Sequence, residues 1–559
     1  MKKFLVGLVA LLLFIPATGI AHAADAPSKN PAQIFESAVP EIGARGIFFQ
    51  ENFSGMDTIG YIRYSHIPAF KSDGTYVPSD FWDWRLCSSW EDANCELKSG
   101  YTVEGRTFLG KCKNTLEIGC IENLKVTLTS GSQKELQYVG PALESIVDTP
   151  ESRLFNIPRS STPALFQDEN SNLYLVRAQV FYSISGTSSV MPKLDADVYP
   201  VLKVIDPTVK APERIIVRSP ETGLNVATLS NTRSDCLAIS TGICYKQGAT
   251  NLENEYSLTL RLPKTITGWF KGRLKSPSIS VNTFSDTSNL LTVSAKSVAM
   301  PVMGGWVKYD DLPSDFIKKL YPFAGYPERR DQNLGLYADA SQGARAFEEF
   351  SAWAPYLKDT ALTTIDIWSF GTNINPAQSK CMNGTSAIGG LVTTNASVYS
   401  SEPPTWNAEA MTLDYKIAAP HFNEAGVENV GTYTLAISNE VIQCLYGVSE
   451  LPASAKVSII YGDVATEVGT IAVGSKDGWS YFSADGFHFS NPTIRVKFEK
   501  AAPIAAPTPS PTSPPGSSAQ LAKEKKVIWC AKGNAKRKIT ALNPACPKGF
   551  KKIADPTRR

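Results

Sequence analysis

Ten cysteines are the residues of this chain whose spacing most directly suggests chemistry. Six of them form three pairs that repeat one interval of eight positions: Cys87 with Cys95, Cys112 with Cys120, and Cys236 with Cys244. Such thiols could bind zinc, catalyse redox exchange or form disulfides. Zinc and redox sites usually contain CxxC, which the sequence lacks, so the pattern favours structural disulfides.

Distance arithmetic shows what a disulfide between residues eight apart requires. Such residues lie about 12 Å apart along a helix and about 26 Å apart in a strand, whereas disulfide-bonded Cα atoms lie within about 7 Å. The chain must therefore turn back between the cysteines, and we predict three short hairpins, each closed by a disulfide. Gly119, Gly242 and Asn94 suit the unusual backbone angles of such turns.

The remaining four cysteines give two further predicted disulfides. Cys381 would join Cys444 and so link two distant strands of the last body domain, and Cys530 would join Cys546 to close the tail. Cross-pairing among the first four cysteines stays open as an alternative. An even number of cysteines leaves none over, as is typical of an exported protein.

Oxygen-bearing side chains offer two candidate sites. Asp168, Asn170 and Asn172 in DENSN supply ligands at alternate positions, an arrangement that suits a hard cation such as calcium. The glycine and the twelfth-position glutamate of an EF-hand are missing, so an ordinary polar turn is the competing interpretation. Asp195 and Asp197 share a face if their segment is extended, where two carboxylates could bind a cation or serve glycoside hydrolysis. A solvated strand edge is the alternative there.

Three of the ten tryptophans cluster in FWDWRLCSSW. Trp82 and Trp84 would face the same way in a strand and offer flat apolar surfaces to a sugar ring, with Asp83 or Arg85 nearby for polar contact. Packing in a core beside Cys87 is the competing interpretation.

Sequence motifs of common enzymes are absent. There is no HExxH, no GxSxG, no P-loop and no GxGxxG opening a helix. A site assembled from distant residues stays open, because catalytic triads are defined by geometry. We therefore expect a structural, adhesive or binding protein, with an extracellular polysaccharide hydrolase and a carbohydrate-binding protein as alternatives.

The elements that must position these residues are mostly strands. Apolar residues alternate with polar ones over Val176–Ile184, Tyr256–Leu262 and Thr493–Phe498, a period of two that indicates half-buried strands. We predict a mostly β chain of multiple antiparallel sandwich-like domains. One helix is predicted over Ser341–Leu357, because apolar residues such as Phe347 and Phe350 recur there at helical spacing. Ser341 could cap its start and Pro355 would end or kink it. It would cover a sheet or form a lid over a site.

The first residues combine two lysines, an apolar run from Phe4 to Ile15 and the small-residue pattern Ala21-His22-Ala23, which predicts an export signal. The run is too short for an ordinary membrane span of about 20 residues. We predict seven segments: a signal peptide 1–23, an N-terminal β domain 24–150, a second β domain 151–300, a loop and helix connecting region 301–360, a C-terminal β-sandwich domain 361–500, a proline-rich linker 501–520 and a basic tail module 521–559.

Charge is unevenly distributed along the chain. Twelve Lys or Arg residues lie in 521–559 against Glu524 and Asp555, whereas the whole chain carries a net charge of +2, so the preceding body is acidic. A basic module of about forty residues needs a disulfide to be stable. We predict that it contacts an anionic cell-wall polymer or membrane surface through four residues: Lys532, Lys536, Arg537 and Lys538. A solubilising or disordered tail is the alternative, and no physiological nucleic-acid partner is expected.

The tail sequence WCAKGNAKRKITALNPACPKGFKK resembles a short C-terminal module of secreted actinobacterial proteins. Segments within 339–498, among them DASQGARAFEEFSAWAPYLKDTA and CMNGTSAIGGLVTTNA, are similar to a β-rich domain of largely uncharacterised proteins from the same group. The resemblance does not reach 24–338. It implies a Gram-positive exterior, secreted or associated with the cell envelope, and carries over no catalytic residue and no cofactor.

Overall fold

The computed structural model divides the chain into two compact units, Met1–Ala501, called the body below, and Ala502–Arg559, which contains the tail module. The predicted export signal and the predicted linker lie outside the described residues. The described residues are 31–40, 42–50, 60–66, 85–95, 101–143, 149–155, 157–185, 189–218, 225–231, 233, 235–321, 330–340, 343–372, 381, 388–400, 402–447, 454–461, 464–467, 471–489, 492–499, 526–533, 535–541, 545–546 and 549–554.

Strands dominate both units, as predicted. The first strands are β1 Ala44–Gln50, β2 Tyr61–His66, β3 Arg85–Leu86, β4 Tyr101–Phe108, β5 Cys120–Thr127, β6 Gln133–Glu135, β7 Gln137–Pro141, β8 Ala164–Gln167, β9 Leu173–Ser185, β10 Ser189–Ile205, β11 Glu213–Arg218 and β12 Asn225–Ser230. The next are β13 Ala238–Ser240, β14 Ile243–Gln247, β15 Glu255–Pro263, β16 Gly268–Arg273, β17 Lys275–Thr283, β18 Ser288–Lys296, β19 Val298–Val302, β20 Gly304–Lys308, β21 Leu334–Asp339, β22 Thr363–Ile367, β23 Ser369–Thr372 and β24 Ile388–Thr394.

The remaining body strands are β25 Val398–Tyr399, β26 Thr405–Asn407, β27 Thr412–Ala418, β28 Val430–Ser438, β29 Ser454–Tyr461, β30 Val464–Glu467, β31 Ile471–Lys476, β32 Trp479–His488 and β33 Thr493–Glu499, and the tail strands are β34 Lys526–Lys532, β35 Ala535–Ala541 and β36 Lys551–Ile553. The α-helices of the described residues are α1 Pro31–Ser37, α2 Phe316–Leu320, α3 Ala344–Trp353 and α4 Asn439–Tyr446. None of these helices is long and apolar enough to span a membrane.

One large sheet organises the body. Its central path runs β3-β2-β4-β9-β10-β23-β16-β24-β28-β32-β31, and β7, β8, β13 and β14 attach beside it. These strands come from the segments 24–150, 151–300 and 361–500 alike, so the sheet joins regions that are far apart in sequence. Most of its pairs are antiparallel, while β16–β24 is parallel. A separate three-stranded sheet of order β20-β1-β21 contains the parallel pair β1–β21.

The first sandwich forms between one face of this sheet and a five-stranded sheet of order β17-β18-β15-β5-β6. The alternation in β9 places Val176, Ala178 and Val180 in a shared apolar core with Leu258 and Leu260 of β15. Each such aliphatic side chain contributes about 1.5–3 kcal/mol when it leaves water. The period-two pattern therefore predicted the strands and their buried face correctly.

A second sandwich uses the opposite face of β24, β28 and β32. It packs against a six-stranded sheet of order β25-β27-β33-β29-β30, to which β26 is added. Val392 and Leu435 lie in this core with Ile494 and Val496 of β33, a strand that the sequence predicted. Because neighbours in a strand point to opposite faces, β24 and β28 contribute to both sandwiches.

The predicted helix at 341–357 is α3, shorter at both ends. Its first cap position is Gly343, with φ +60°, and Ser341 lies outside the described residues. The last helical residue is Trp353, two positions before Pro355, as expected from the poor fit of proline in a helix interior. Phe350 and Trp353 pack in an apolar cluster with β1 and β21, so the helix covers a sheet.

The tail module is a small antiparallel sheet of order β35-β34-β36. Gly533, with φ +59°, lies in the turn between β34 and β35. The Cys530 side chain is fully buried, and its disulfide to Cys546 ties β34 to the segment before β36. The disulfide thus supplies the cross-link that a sheet of this size requires.

Candidate functional site

All five predicted disulfides are present, with Cα atoms 5.0–6.0 Å apart. The observed pairs are Cys87–Cys95, Cys112–Cys120, Cys236–Cys244, Cys381–Cys444 and Cys530–Cys546, so the cross-paired alternative is wrong. Cys444 lies in the helix α4, so the expectation that its disulfide links two strands is also wrong. Five disulfides fit a protein that folds in an oxidising compartment.

The hairpin prediction holds for one of the three short pairs. Around Cys236–Cys244, β13 pairs with β14 and the turn contains Gly242 with φ +74°. It is wrong for Cys87–Cys95, where a turn and a short 3-10 helix bring the sulfurs together. It is also wrong for Cys112–Cys120, where an irregular loop leads into β5. A disulfide between cysteines eight residues apart requires the chain to change direction between them. A helical turn or an irregular loop can provide that change of direction, just as a hairpin can.

The Cys236–Cys244 disulfide also settles which chemistry its cysteines perform. Ligand atoms of Asp235 and of both cysteines lie within 4.8 Å of one another. Because the sulfurs are bonded to each other, neither is a thiolate that could hold a metal. Asp235 instead forms ion pairs with Arg233 at 2.8 Å and Lys246 at 2.7 Å.

The predicted calcium ligands form the turn between β8 and β9. Asp168 Oδ1 accepts hydrogen bonds from the backbone N–H groups of Asn170 and Asn172, each at 2.9 Å. Asp168 Oδ2 accepts another from the Asn172 side chain at 2.9 Å. These bonds account for the shape of the turn by themselves, and calcium binding stays a prediction.

The predicted aromatic site falls largely outside the described residues. Trp82, Asp83 and Trp84 all lie there, while Arg85 begins β3 and its backbone pairs with Tyr64 of β2. The carbohydrate-binding prediction for this segment therefore stays a prediction.

Asp195 and Asp197 do share a face of an extended strand, but β10 is an inner strand and not a solvated edge. In the sheet register Gln179, Asp195, Gly371 and Lys271 are neighbours on successive strands. Two residues along each strand, a second row on the same face consists of Arg177, Asp197, Ser369 and Arg273. These eight residues are called the polar rows below.

Asp197 forms an ion pair with Arg177 within the second row. Arg177 donates from Nε to Asp197 Oδ1 at 2.9 Å and from Nη2 to Oδ2 at 2.8 Å. Both side chains are about 4–5% exposed. Burial alone would lower the pKa of Arg177, but the Asp197 carboxylate raises it above its ordinary value. Breaking such a pair would leave an uncompensated buried charge.

Arg273 extends the second row toward the loop before β25. Its guanidinium donates to the carbonyl oxygens of Thr394, Ala396 and Ser397, and it lies 4.1 Å from the centroid of the Tyr399 ring. Lys271 Nζ lies 5.4 Å from the same ring. Both cations therefore lie near one aromatic ring, which helps to compensate their burial.

Asp195 has a different environment from Asp197. Burial raises its pKa to about 6, and the charge of Asp197 acts in the same direction, while Arg106, Lys271 and Lys193 oppose the shift. The residue itself is half-buried, as are Arg106 and Lys193. Asp195 is thus the part of the polar rows that is partly exposed to solvent.

Two buried polar atoms of the rows accept or donate no hydrogen bond among the described residues. They are Gln179 Oε1, on a side chain 6% exposed, and Ser369 Oγ, on a side chain that is fully buried. Buried polar atoms in folded proteins nearly always have a partner in protein, water or ligand. Among the described residues, these two atoms are therefore unsatisfied polar groups inside the polar rows.

The arrangement suits binding better than paired-carboxylate hydrolysis. A glycosidase needs two carboxyl groups that both reach the substrate. Here both oxygens of Asp197 accept from Arg177, so Asp195 is the one carboxyl group of the rows that remains open to solvent. The described part of the chain places cations and amide or hydroxyl groups around it instead.

The tail module carries exposed basic side chains. Three lysines of its described residues are exposed: Lys532, Lys551 and Lys552. The other predicted contact residues lie in β35: Lys536, Arg537 and Lys538. The basic residues that sequence reasoning selected are thus brought together on one three-stranded sheet.

Comparison with known proteins adds no functional assignment. No protein-family model matches the chain, and a search of curated proteins finds no match.

Sequence reasoning identified Asp195 but not its neighbours on the other strands. Gln179 is one of the polar residues in the alternating segment Val176–Ile184, whereas nothing in the sequence singles out Ser369 or Lys271. The sequence feature that could have identified these residues is the alternation of polar side chains in strands that are buried on both faces. In a sheet with one face in water, these polar residues would simply face the solvent. Their alternation therefore points to a buried polar cluster only when both faces of the sheet are known to be covered.

Proposed function

We propose that the protein is an exported, non-enzymatic binding protein of the cell envelope, retained there by its basic tail module. The module contacts anionic polymers or lipid head groups of the envelope. The acidic body then projects away from the surface that the tail contacts, since like charges repel.

The observation that carries this proposal is the tail itself. It is a compact unit separate from the body, closed by the Cys530–Cys546 disulfide, with Lys532, Lys551 and Lys552 exposed. A disordered solubilising tail would need neither a paired sheet nor a disulfide. A small folded module of this charge suits surface attachment, because folding holds the cations close together.

Export is supported by the leader sequence and by the five disulfides, which form and persist in oxidising compartments. The resemblance of the tail to a module of secreted actinobacterial proteins supports the same location. The absence of sequence motifs for common enzymes favours a binding role.

A vesicle and polymer binding assay tests the proposal. Full chain is compared with a chain ending at Gln520, using anionic phosphatidylglycerol vesicles, neutral phosphatidylcholine vesicles and polyphosphate-coated beads. Each lysine near an anionic surface contributes about 1 kcal/mol, so Lys532→Ala, Lys551→Ala and Lys552→Ala together should weaken binding about 100-fold. Preference for vesicles or for beads distinguishes a lipid surface from a polymer.

A matched control removes three exposed lysines of the body: Lys203, Lys210 and Lys319. This variant should bind like the full chain and should lose binding at high salt in the same way. Equal binding by the chain ending at Gln520, or an equal loss in both triple variants, would refute a specific role of the tail.

A further inference from the structure

We infer that one face of the tail sheet lies on an anionic lipid bilayer, with the Trp529 ring at the boundary between head groups and acyl chains. This inference rests on the proposed function, since it names which anionic partner the tail module contacts. A purely electrostatic contact with a polymer would overturn the inference and leave the proposed function standing.

Backbone register defines the two faces of the tail sheet. Residues directly opposite each other on antiparallel strands share a face, whereas neighbours along one strand alternate between faces. One face therefore consists of two rows across β35, β34 and β36: Lys538, Trp529 and Ile553, then Lys536, Ala531 and Lys551. These six residues are called the tryptophan face below.

The opposite face of the sheet is covered by the chain itself. Cys530 points to that face, is fully buried and is bonded to Cys546 with the Cα atoms 5.7 Å apart. Cys546 therefore lies over the Cys530 face. On the tryptophan face, by contrast, Trp529, Ala531 and Ile553 are only half-buried. Within the described part of the tail, apolar surface is thus left partly open on the face that carries Trp529.

The combination of apolar and basic residues favours a bilayer over a polymer. Binding at a lipid interface increases with the apolar area that leaves water and with the attraction of basic residues to anionic lipids. Tryptophan suits this boundary because its ring is apolar and its N–H group is polar. A flexible polyanion would attract the lysines of the tryptophan face but would give Ile553 no apolar partner. The strongly basic charge of 521–559 complements an anionic lipid surface.

Fluorescence quenching by brominated lipid tests where Trp529 lies. The full chain is bound to vesicles of phosphatidylglycerol mixed with phosphatidylcholine whose acyl chains carry bromine. Since the chain has ten tryptophans, quenching of Trp529 should remove about one tenth of the emission, and Trp529→Phe should abolish that loss. Equal quenching of the wild type and of Trp529→Phe would contradict the inference.

Salt dependence separates the apolar contribution from the electrostatic one. Trp529→Ala should weaken binding to phosphatidylglycerol vesicles about 10-fold at every salt concentration, and Ile553→Ser about 3- to 10-fold, because salt does not screen apolar contacts. The effect of Lys551→Ala should instead shrink as salt is added. Tyr337→Ala, which removes an exposed aromatic ring of the body, is the matched control and should bind like the wild type. Each variant is first checked for the absence of free thiols, which shows that the tail disulfide has formed.

The outcomes distinguish this inference from the proposed function. If Trp529→Ala and Ile553→Ser bind vesicles like the wild type while the chain ending at Gln520 does not bind, the contact is electrostatic alone and the inference is overturned. Binding to polyphosphate beads without binding to vesicles overturns it as well, and in both cases the proposed function stands. If the full chain binds neither surface better than the chain ending at Gln520, both fail.

Discussion

The ionisation of Asp195 predicts that the stability of the folded protein depends on pH. A single substitution at Asp195 should remove this dependence. Its pKa rises from 3.8 to about 6 on folding, because burial disfavours the carboxylate. The Asp195 carboxyl group therefore stays protonated to a higher pH in the folded protein than in the unfolded chain. Stability falls as pH rises from about 4 to about 6, and the unfavourable contribution is fully present above that range.

The size of the effect follows from the shift. About two pKa units correspond to about 3 kcal/mol, and Asp195 is half-buried, so about 2 kcal/mol is a reasonable expectation after solvent screening. Asp195→Asn carries no charge in either state. It should therefore be about 2 kcal/mol more stable than the wild type near pH 7 and equally stable near pH 4.

Urea denaturation followed by tryptophan fluorescence, repeated across this pH range, measures the difference. Asp206→Asn is the control of opposite sign, since hydrogen bonds from Thr208 and Arg233 lower the pKa of Asp206 to about 2. That group contributes stability above its unfolded pKa, which is lost as pH falls, so its replacement should destabilise the protein at neutral pH. If Asp195→Asn shifts stability equally at both ends of the range, burial does not control the ionisation of Asp195.

Two further predictions concern how the body is held together. Replacing Cys381 and Cys444 by serine opens a loop of sequence separation 63 and should cost about 4 kcal/mol in the loop-entropy model, measured by guanidinium denaturation; a loss below about 1 kcal/mol contradicts it. Gly390→Ala would place a Cβ atom within 2.5 Å of several Trp269 ring atoms, and overpacking should cost about 1–3 kcal/mol by thermal unfolding. Gly474→Ala, which meets nothing within 4 Å, should cost nothing, and equal losses would refute the packing explanation.

Local pattern predicted local structure well. The alternation of Val176, Ala178 and Val180 gave both the strand and its buried face, and helical spacing gave α3, because each depends on residues near in sequence. The three short disulfide pairs followed from spacing within a short chain segment, and the other two followed from the four cysteines that remained.

Long-range pairing could not be predicted in the same way. Nothing in the sequence indicates that β10 lies beside β23, or that β16 runs parallel to β24. The candidate site depends on these neighbours, since Lys271 and Ser369 reach Asp195 and Asp197 only through the register of the large sheet. A shift of one residue in that register would place them on the opposite face.

Retention of the protein by cells that export it tests the proposed function most directly. The measurement compares the cell-bound and released fractions of the full chain with those of a chain lacking 521–559. The proposal predicts that the full chain is cell-bound and released by high salt, whereas the shortened chain is found in the medium. Equal retention of the two chains would contradict it.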